Sequence, residues 1–62
     1  MCEASVYLSH DGKEELILED VDILRPEDGQ LYLCNVYGDQ KIVKARLKEI
    51  SLVNHKIILE KG

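Results

Sequence analysis

The sequence has no tryptophan, no phenylalanine and only one proline. Its three tyrosines are its only aromatic residues, so the core must be built mainly from aliphatic side chains. A chain of 62 residues buries only about 60% of the surface that its unfolded form exposes, and the core is therefore modest. Chains of this size often gain stability from a disulfide, a metal or a partner chain. We therefore expect a homodimer.

Long apolar runs are also absent. No segment approaches the roughly 20 apolar residues of a membrane-spanning helix. The first residues lack the basic region and apolar stretch that mark a signal peptide. The net charge of -4 argues against nucleic acid as a partner, because Lys and Arg contacts to phosphate dominate that affinity. These features predict a cytoplasmic protein with no membrane partner.

Cysteines are few, and none forms a Cys-x-x-Cys pair, so a closed structural zinc site is not expected. Cys2 and Cys34 could form one disulfide at most. Cys2 lies at a terminus that tends to fray, so we predict that both thiols are reduced, as is usual in the cytosol. Cys34 lies among apolar residues and is expected in the core or at an interface. The scattered glycines form no phosphate-binding loop.

Apolar residues recur mainly at spacing two, and no long helical period is present, which indicates β-strands. Five strands are predicted, at about residues 4–9, 14–24, 30–36, 41–49 and 56–60. The second strand is interrupted at Glu19-Asp20 and should bend or bulge near Asp20. Asp11-Gly12 supplies the positive φ that a tight hairpin requires.

Three further turns are predicted, at residues 26–29, 37–40 and 54–55. In the first of these, Pro26 would pre-set φ and Gly29 would close the turn. Short strands joined by tight turns predict an all-β fold for residues 1–62 as a single small domain. We expect a five-stranded antiparallel sheet, strongly bent or closed into an SH3-like or Sm-like barrel. The alternative is an open meander that dimerises through one face.

The pair Met1-Cys2 carries the most specific chemistry in the sequence. The α-amine and the Cys2 amide nitrogen can close one five-membered chelate ring on a metal ion. That nitrogen and the Cys2 sulfur can close a second. Thiolate and nitrogen donors in a flat array suit nickel(II) or copper(II). Both the thiol and the amine must lose protons first, so binding should weaken below neutral pH.

Other interpretations of Cys2 remain open. It could be a small apolar residue packed beside the first strand, as buried free cysteines often are. If Met1 were removed, Cys2 would carry the amine, and two chains could form a planar site of two nitrogens and two sulfurs. His10 and His55 both lie in predicted turns. Either could add a ligand only if its turn lies beside the N-terminus.

Several segments carry a resemblance to a known family. They are Met1-Cys2-Glu3-Ala4, Val6-Tyr7-Leu8, Glu19-Asp20-Val21 and Leu52-Val53-Asn54-His55-Lys56-Ile57 with Leu59-Glu60. The sequence resembles the CooT family, accessory proteins of carbon monoxide dehydrogenase maturation. The resemblance implies a homodimeric, cytosolic, non-enzymatic Ni(2+)-binding protein with an Sm-like barrel. Its partners would be carbon monoxide dehydrogenase or its maturation factors. The functional cysteine of the family corresponds to Cys2.

A basic segment supports a different function. At spacing two, Lys44, Arg46 and Lys48 would share one face of a strand. They could be a solvated outer face, since charge there deters aggregation. Alternatively, they could form the binding stripe of an Sm-like RNA-binding or protein-interaction module. A dimerisation module without a ligand is a third possibility.

Overall fold

A computed structural model describes residues 3–61 of the chain. Within them it contains six strands and no helix. The strands are β1 (Ala4–His10), β2 (Lys13–Glu27), β3 (Gln30–Asn35), β4 (Gln40–Val43), β5 (Ala45–Ser51) and β6 (Lys56–Lys61). They form one sheet in the order β4-β3-β2-β1-β6-β5. The predicted all-β, strongly bent sheet is confirmed.

A single residue, Lys44, joins the two strands at opposite ends of this sheet, β4 and β5. The sheet must therefore curl until its two ends approach each other. Leu31 and Leu33 of β3 accordingly share one buried cluster with Ala45 of β5. The result is a half-barrel. The prediction of five strands is wrong, because residues 41–49 change partner at this corner, pairing first with β3 and then with β6.

The first and last strands run parallel to each other. Their register extends from Ser5 opposite Lys56 to Ser9 opposite Glu60. The other four strand pairs are antiparallel. The prediction of a wholly antiparallel sheet is therefore wrong for this one pair. The cause is the curl, which brings the β5–β6 hairpin round to the free edge of β1.

Asp-Gly pairs form the two tightest turns. Asp11 and Gly12 have φ values of 53° and 77°, and Asp28 and Gly29 have values of 41° and 79°. Positive φ at both positions is the signature of a type I′ hairpin turn, as predicted for Asp11-Gly12. The proposed role of Pro26 is wrong, because it lies within β2 opposite Leu31.

The predicted bulge at Asp20 is confirmed. Asp20 has a φ of 56°, in the left-handed region. Beside it, the β1–β2 register passes from Ala4 opposite Val21 to Val6 opposite Leu18, so β2 carries an extra residue. An extra residue bends a strand and increases its twist. This bend lets the long β2 strand follow the curl of the sheet.

The core lies on the concave side of the sheet. Its buried members are Val6, Val21, Leu31, Leu33, Ala45 and Leu59. Half-buried Leu8, Ile17, Leu18, Leu24, Val43 and Ile57 pack around them. All of these side chains are aliphatic, as expected. Residues 3–61 include no helix long and apolar enough to cross a membrane.

Candidate metal centre at the start of β1

The predicted donors Met1 and Cys2 lie outside the residues that the structure describes. The described chain begins at Glu3, which is exposed, and β1 begins at Ala4. The structure therefore locates the segment to which the predicted donors are covalently attached. The surroundings of Glu3 and Ala4 show which other groups lie beside the start of β1.

The turn before β6, residues 52–55, lies beside the start of β1. The Ser5 N–H donates a hydrogen bond of 2.9 Å to the His55 carbonyl oxygen. His55 adopts a φ of 52°, a left-handed conformation in which His is enriched among non-glycine residues. It is exposed. The sequence placed His55 in a turn, but only the parallel β1–β6 pairing shows which part of the chain that turn touches.

The other histidine, His10, lies at the far end of β1. A strand rises about 3.3 Å per residue, so the six-residue step from Ala4 to His10 spans roughly 20 Å. The His10 Nε2 atom is 3.4 Å from an Asp11 carboxylate oxygen, and both side chains are largely exposed. Of the two histidines, the structure therefore brings only His55 close to the start of β1.

An apolar cavity of about 300 Å³ adjoins this region. Ala4 and His55 are among its lining residues, together with Ile23 of β2 and Ile50 of β5. The neighbouring turn carries two apolar side chains that are almost fully exposed, Leu52 at 81% and Val53 at 89%. The start of β1 thus lies next to an unusually apolar surface, which the sequence pattern did not reveal.

The cationic side chain nearest to this turn in the sequence is Lys56, and it is already paired with a carboxylate. Its Nζ lies 2.9 Å from a Glu14 carboxylate oxygen and 4.9 Å from the centre of the Tyr7 ring. The hydrogen bond to Glu14 raises the pKa of the Lys56 ammonium above its ordinary value. An ammonium group has no lone pair to offer a metal, so Lys56 is not a ligand at neutral pH.

Cys34 does not join this region. It is half-buried on β3, and its Sγ lies 3.5 Å from the Asn35 carbonyl oxygen. Alternate β3 residues are buried, which places Cys34 and Tyr32 on the face away from the core. Partial burial, followed by the neighbouring Cys34 thiol, raises the pKa of the Tyr32 phenol. Cys34 is a free thiol outside the buried core cluster, with β2 between its strand and β1.

The predicted basic stripe is not a regular strand face. Lys44 occupies the corner between β4 and β5, and a register shift falls at Lys48, between Leu47 and Glu49. Arg46 lies 3.5 Å from the Glu60 carboxylate on the paired strand, so its charge is partly offset. This arrangement weakens the hypothesis of an RNA-binding stripe.

Within residues 3–61, no group of three His, Cys, Asp or Glu side chains is arranged to hold a metal ion. The predicted pair Met1 and Cys2 lies outside that range, so the metal site indicated by the sequence stays a prediction.

Comparison with known proteins identifies the family. The family model described as "CO dehydrogenase accessory protein CooT" matches residues 1–60. The chain belongs to the CooT family. The match includes Met1-Cys2 and all six strands, except for Lys61 at the end of β6.

Two proteins show how similar other CooT-like chains are. A solved structure of a CooT from Carboxydothermus hydrogenoformans is 46% identical, with a TM-score of 0.93 over 98% of both chains. An uncharacterised protein of Methanocaldococcus jannaschii is 30% identical over 60 residues, covering 97% of this chain and 98% of its own length. The curled sheet is therefore shared with another CooT over nearly its full length.

Proposed function

We propose that this CooT protein binds nickel(II) and delivers it during the maturation of carbon monoxide dehydrogenase. The observation that carries this proposal is the extent of the family match, which reaches residue 1 and so covers the Met1-Cys2 donor set. Family membership supports an accessory role. The donor set supports the choice of a thiophilic ion that accepts planar coordination.

In this proposal nickel is cargo, and the chain is not an enzyme. Cys2 supplies a thiolate ligand, and the Met1 amine and the Cys2 main-chain nitrogen supply the other two ligands. Oxygen ligands such as the neighbouring Glu3 carboxylate match harder cations better. Donors that precede the first strand can be replaced one at a time by a client, which suits transfer in the cytoplasm.

We further propose that the protein acts as a homodimer. The exposed side chains of Leu52 and Val53, next to the apolar cavity, support this. Large apolar surfaces on small proteins commonly mark interaction sites. Because Ala4 is among the residues that line the cavity, a second copy seated there would lie close to the start of β1.

The test is a nickel titration of the reduced protein and of two matched variants, Cys2→Ser and Cys34→Ser. We expect a thiolate-to-nickel absorption band in the wild type and in Cys34→Ser, and loss of that band in Cys2→Ser. Copper(II) should compete strongly, because it binds more tightly than nickel to most donor sets. An unchanged nickel affinity in Cys2→Ser would remove Cys2 from the site.

The pH dependence provides a second check. Thiols have ordinary pKa values near 8.5 and α-amines near 8, and both must be deprotonated to bind. Nickel affinity should therefore fall as the pH drops below neutral. A flat profile between about pH 6 and pH 8 would contradict coordination through these groups.

A further inference from the structure

The long β2 strand has a partner on only one side along its first half. Within the described residues, β2 pairs with β1 as far as Val21 and with β3 only from Val21 onward. After Asn35 the chain turns away to form β4 on the far side of β3, and the Val36 N–H donates a hydrogen bond of 2.9 Å to the Asp20 carbonyl oxygen. Residues 14–19, which we call the free β2 edge, therefore present unpaired N–H and C=O groups on the β3 side.

We propose that an extended, cationic segment of a partner protein adds to the free β2 edge as an extra strand. In this mode of recognition, main-chain hydrogen bonds provide affinity and the side chains beside the edge provide selectivity. The proposal is independent of the nickel site proposed above, because it uses only residues 14–20 and 35–39.

A cavity of about 310 Å³ lies along this edge and offers room for side chains of the added strand. Leu16 and Leu18 of β2 line it together with Tyr37 and Asp39 of the next turn. Leu16 is 45% exposed and Tyr37 is 76% exposed, and Tyr is enriched among the residues that dominate binding at interfaces. The Asn35 side chain already holds the Tyr37 and Asp39 N–H groups, so little ordering of this turn remains to oppose binding.

The charges beside the edge favour a cationic segment. Of residues 14–22, five are Asp or Glu and none is Lys or Arg. Glu14 is already paired with Lys56. Glu19 and Asp20 both line the cavity, and neither forms an ion pair with another residue of the range 3–61. These carboxylates would steer Lys or Arg side chains to the edge, and they would repel an acidic segment or the same edge of a second copy.

The first experiment adds a synthetic probe to the full chain, a hexapeptide of alternating lysine and valine with blocked ends. Binding should slow amide hydrogen exchange at alternate residues of the free β2 edge, because a new strand pairs with every second N–H group. A hexapeptide of alternating glutamate and valine should not bind. The lysine–valine peptide methylated on its alternate main-chain nitrogens has lost hydrogen-bond donors and should bind at least about tenfold more weakly.

The second experiment compares Glu19→Lys with Glu27→Lys, its matched control on the same strand. Both residues are exposed, but Glu27 lies opposite Gln30 of β3, where this side of β2 is occupied. Glu19→Lys should weaken binding of the lysine–valine peptide at least about fivefold and reduce its dependence on salt, whereas Glu27→Lys should have a much smaller effect. Tyr37→Ala should weaken binding at least about tenfold. Circular dichroism and thermal melting verify the fold of each variant.

Slowed exchange at residues 14–19, together with weaker binding to Glu19→Lys and Tyr37→Ala, supports the proposal. Equal binding of the methylated and unmethylated peptides would overturn strand addition. Equal binding to Glu19→Lys and Glu27→Lys, or no binding of the probe at millimolar concentration, would overturn the assignment to this edge. Exchange at residues 14–19 that slows with protein concentration alone would assign the edge to a second copy and overturn the choice of partner.

Discussion

Two four-residue turns of this protein are built in opposite ways. The turn at residues 36–39 is organised from within by Asn35, which is buried. Its Oδ1 accepts hydrogen bonds from the Tyr37 and Asp39 N–H groups, and its Nδ2 donates to the Asp39 carboxylate. The turn at residues 52–55 has an exposed apolar tip, Leu52 and Val53.

The bonds of the second turn also differ. The Asn54 N–H donates to the Ser51 hydroxyl over 3.3 Å at an exposed position, and the His55 carbonyl is bound by Ser5 of β1. The turn at residues 36–39 is therefore held by hydrogen bonds between its own residues and the Asn35 side chain. The other depends on a neighbouring strand and leaves its apolar side chains exposed, which suits the dimer interface proposed above.

The largest expected effect comes from Asn35→Ala. The variant removes the three hydrogen bonds of the Asn35 side chain, and each of them contributes about 0.5–1.5 kcal/mol. We expect the free energy of unfolding to fall by at least about 2 kcal/mol, measured by chemical denaturation. Asn54→Ala in the other turn is the matched control and should change it by less than about 0.5 kcal/mol. Equal effects would show that the two turns are built alike.

A smaller effect, on association rather than folding, is expected from Leu52→Asp combined with Val53→Asp. Losing apolar contacts in an interface costs about 1 kcal/mol or more, so the dissociation constant of the proposed dimer should rise at least about fivefold. Sedimentation velocity measures the change. Tyr37→Asp, at 76% exposure in the other turn, is the control and should sediment as the wild type does. A double variant that associates normally would rule out this turn as the interface.

The smallest effect concerns Lys56, the residue that follows the exposed turn. Glu14 raises the pKa of folded Lys56 above its ordinary value of 10.5. The stabilisation is therefore fully present below that ordinary value and is lost as the pH rises through the folded pKa. As the pH rises above 10.5, the wild type should lose slightly more stability than Lys56→Gln. Parallel curves for the two proteins would contradict a contribution from this ion pair.

Local features of the fold were predictable because their causes are local. Asp11-Gly12 demanded a hairpin, and the break in alternation at Asp20 demanded a bulge. The predicted turn role of Pro26 was wrong because proline, although common in turns, also occurs in strands. It has no N–H to donate, so it is tolerated where one edge of the strand is unpaired. Within the described residues, β1 pairs with β2 only as far as Val21, so β2 has such an edge at Pro26.

Non-local features of the fold could not be predicted from the sequence. The alternation of Val43, Ala45 and Leu47 continues across Lys44, so no glycine or proline marks the corner between β4 and β5. The parallel β1–β6 pair joins segments about 50 residues apart, and no local pattern encodes that register. The Cys2 chemistry could be inferred from adjacency in the chain. The neighbourhood of His55 could not, because it depends on this pairing.

The β1–β6 pairing also has a consequence for synthesis. While residues 56–61 are still inside the ribosome, one edge of β1 has no partner for its N–H and C=O groups. The half-barrel can close only after β6 has emerged and can pair with β1.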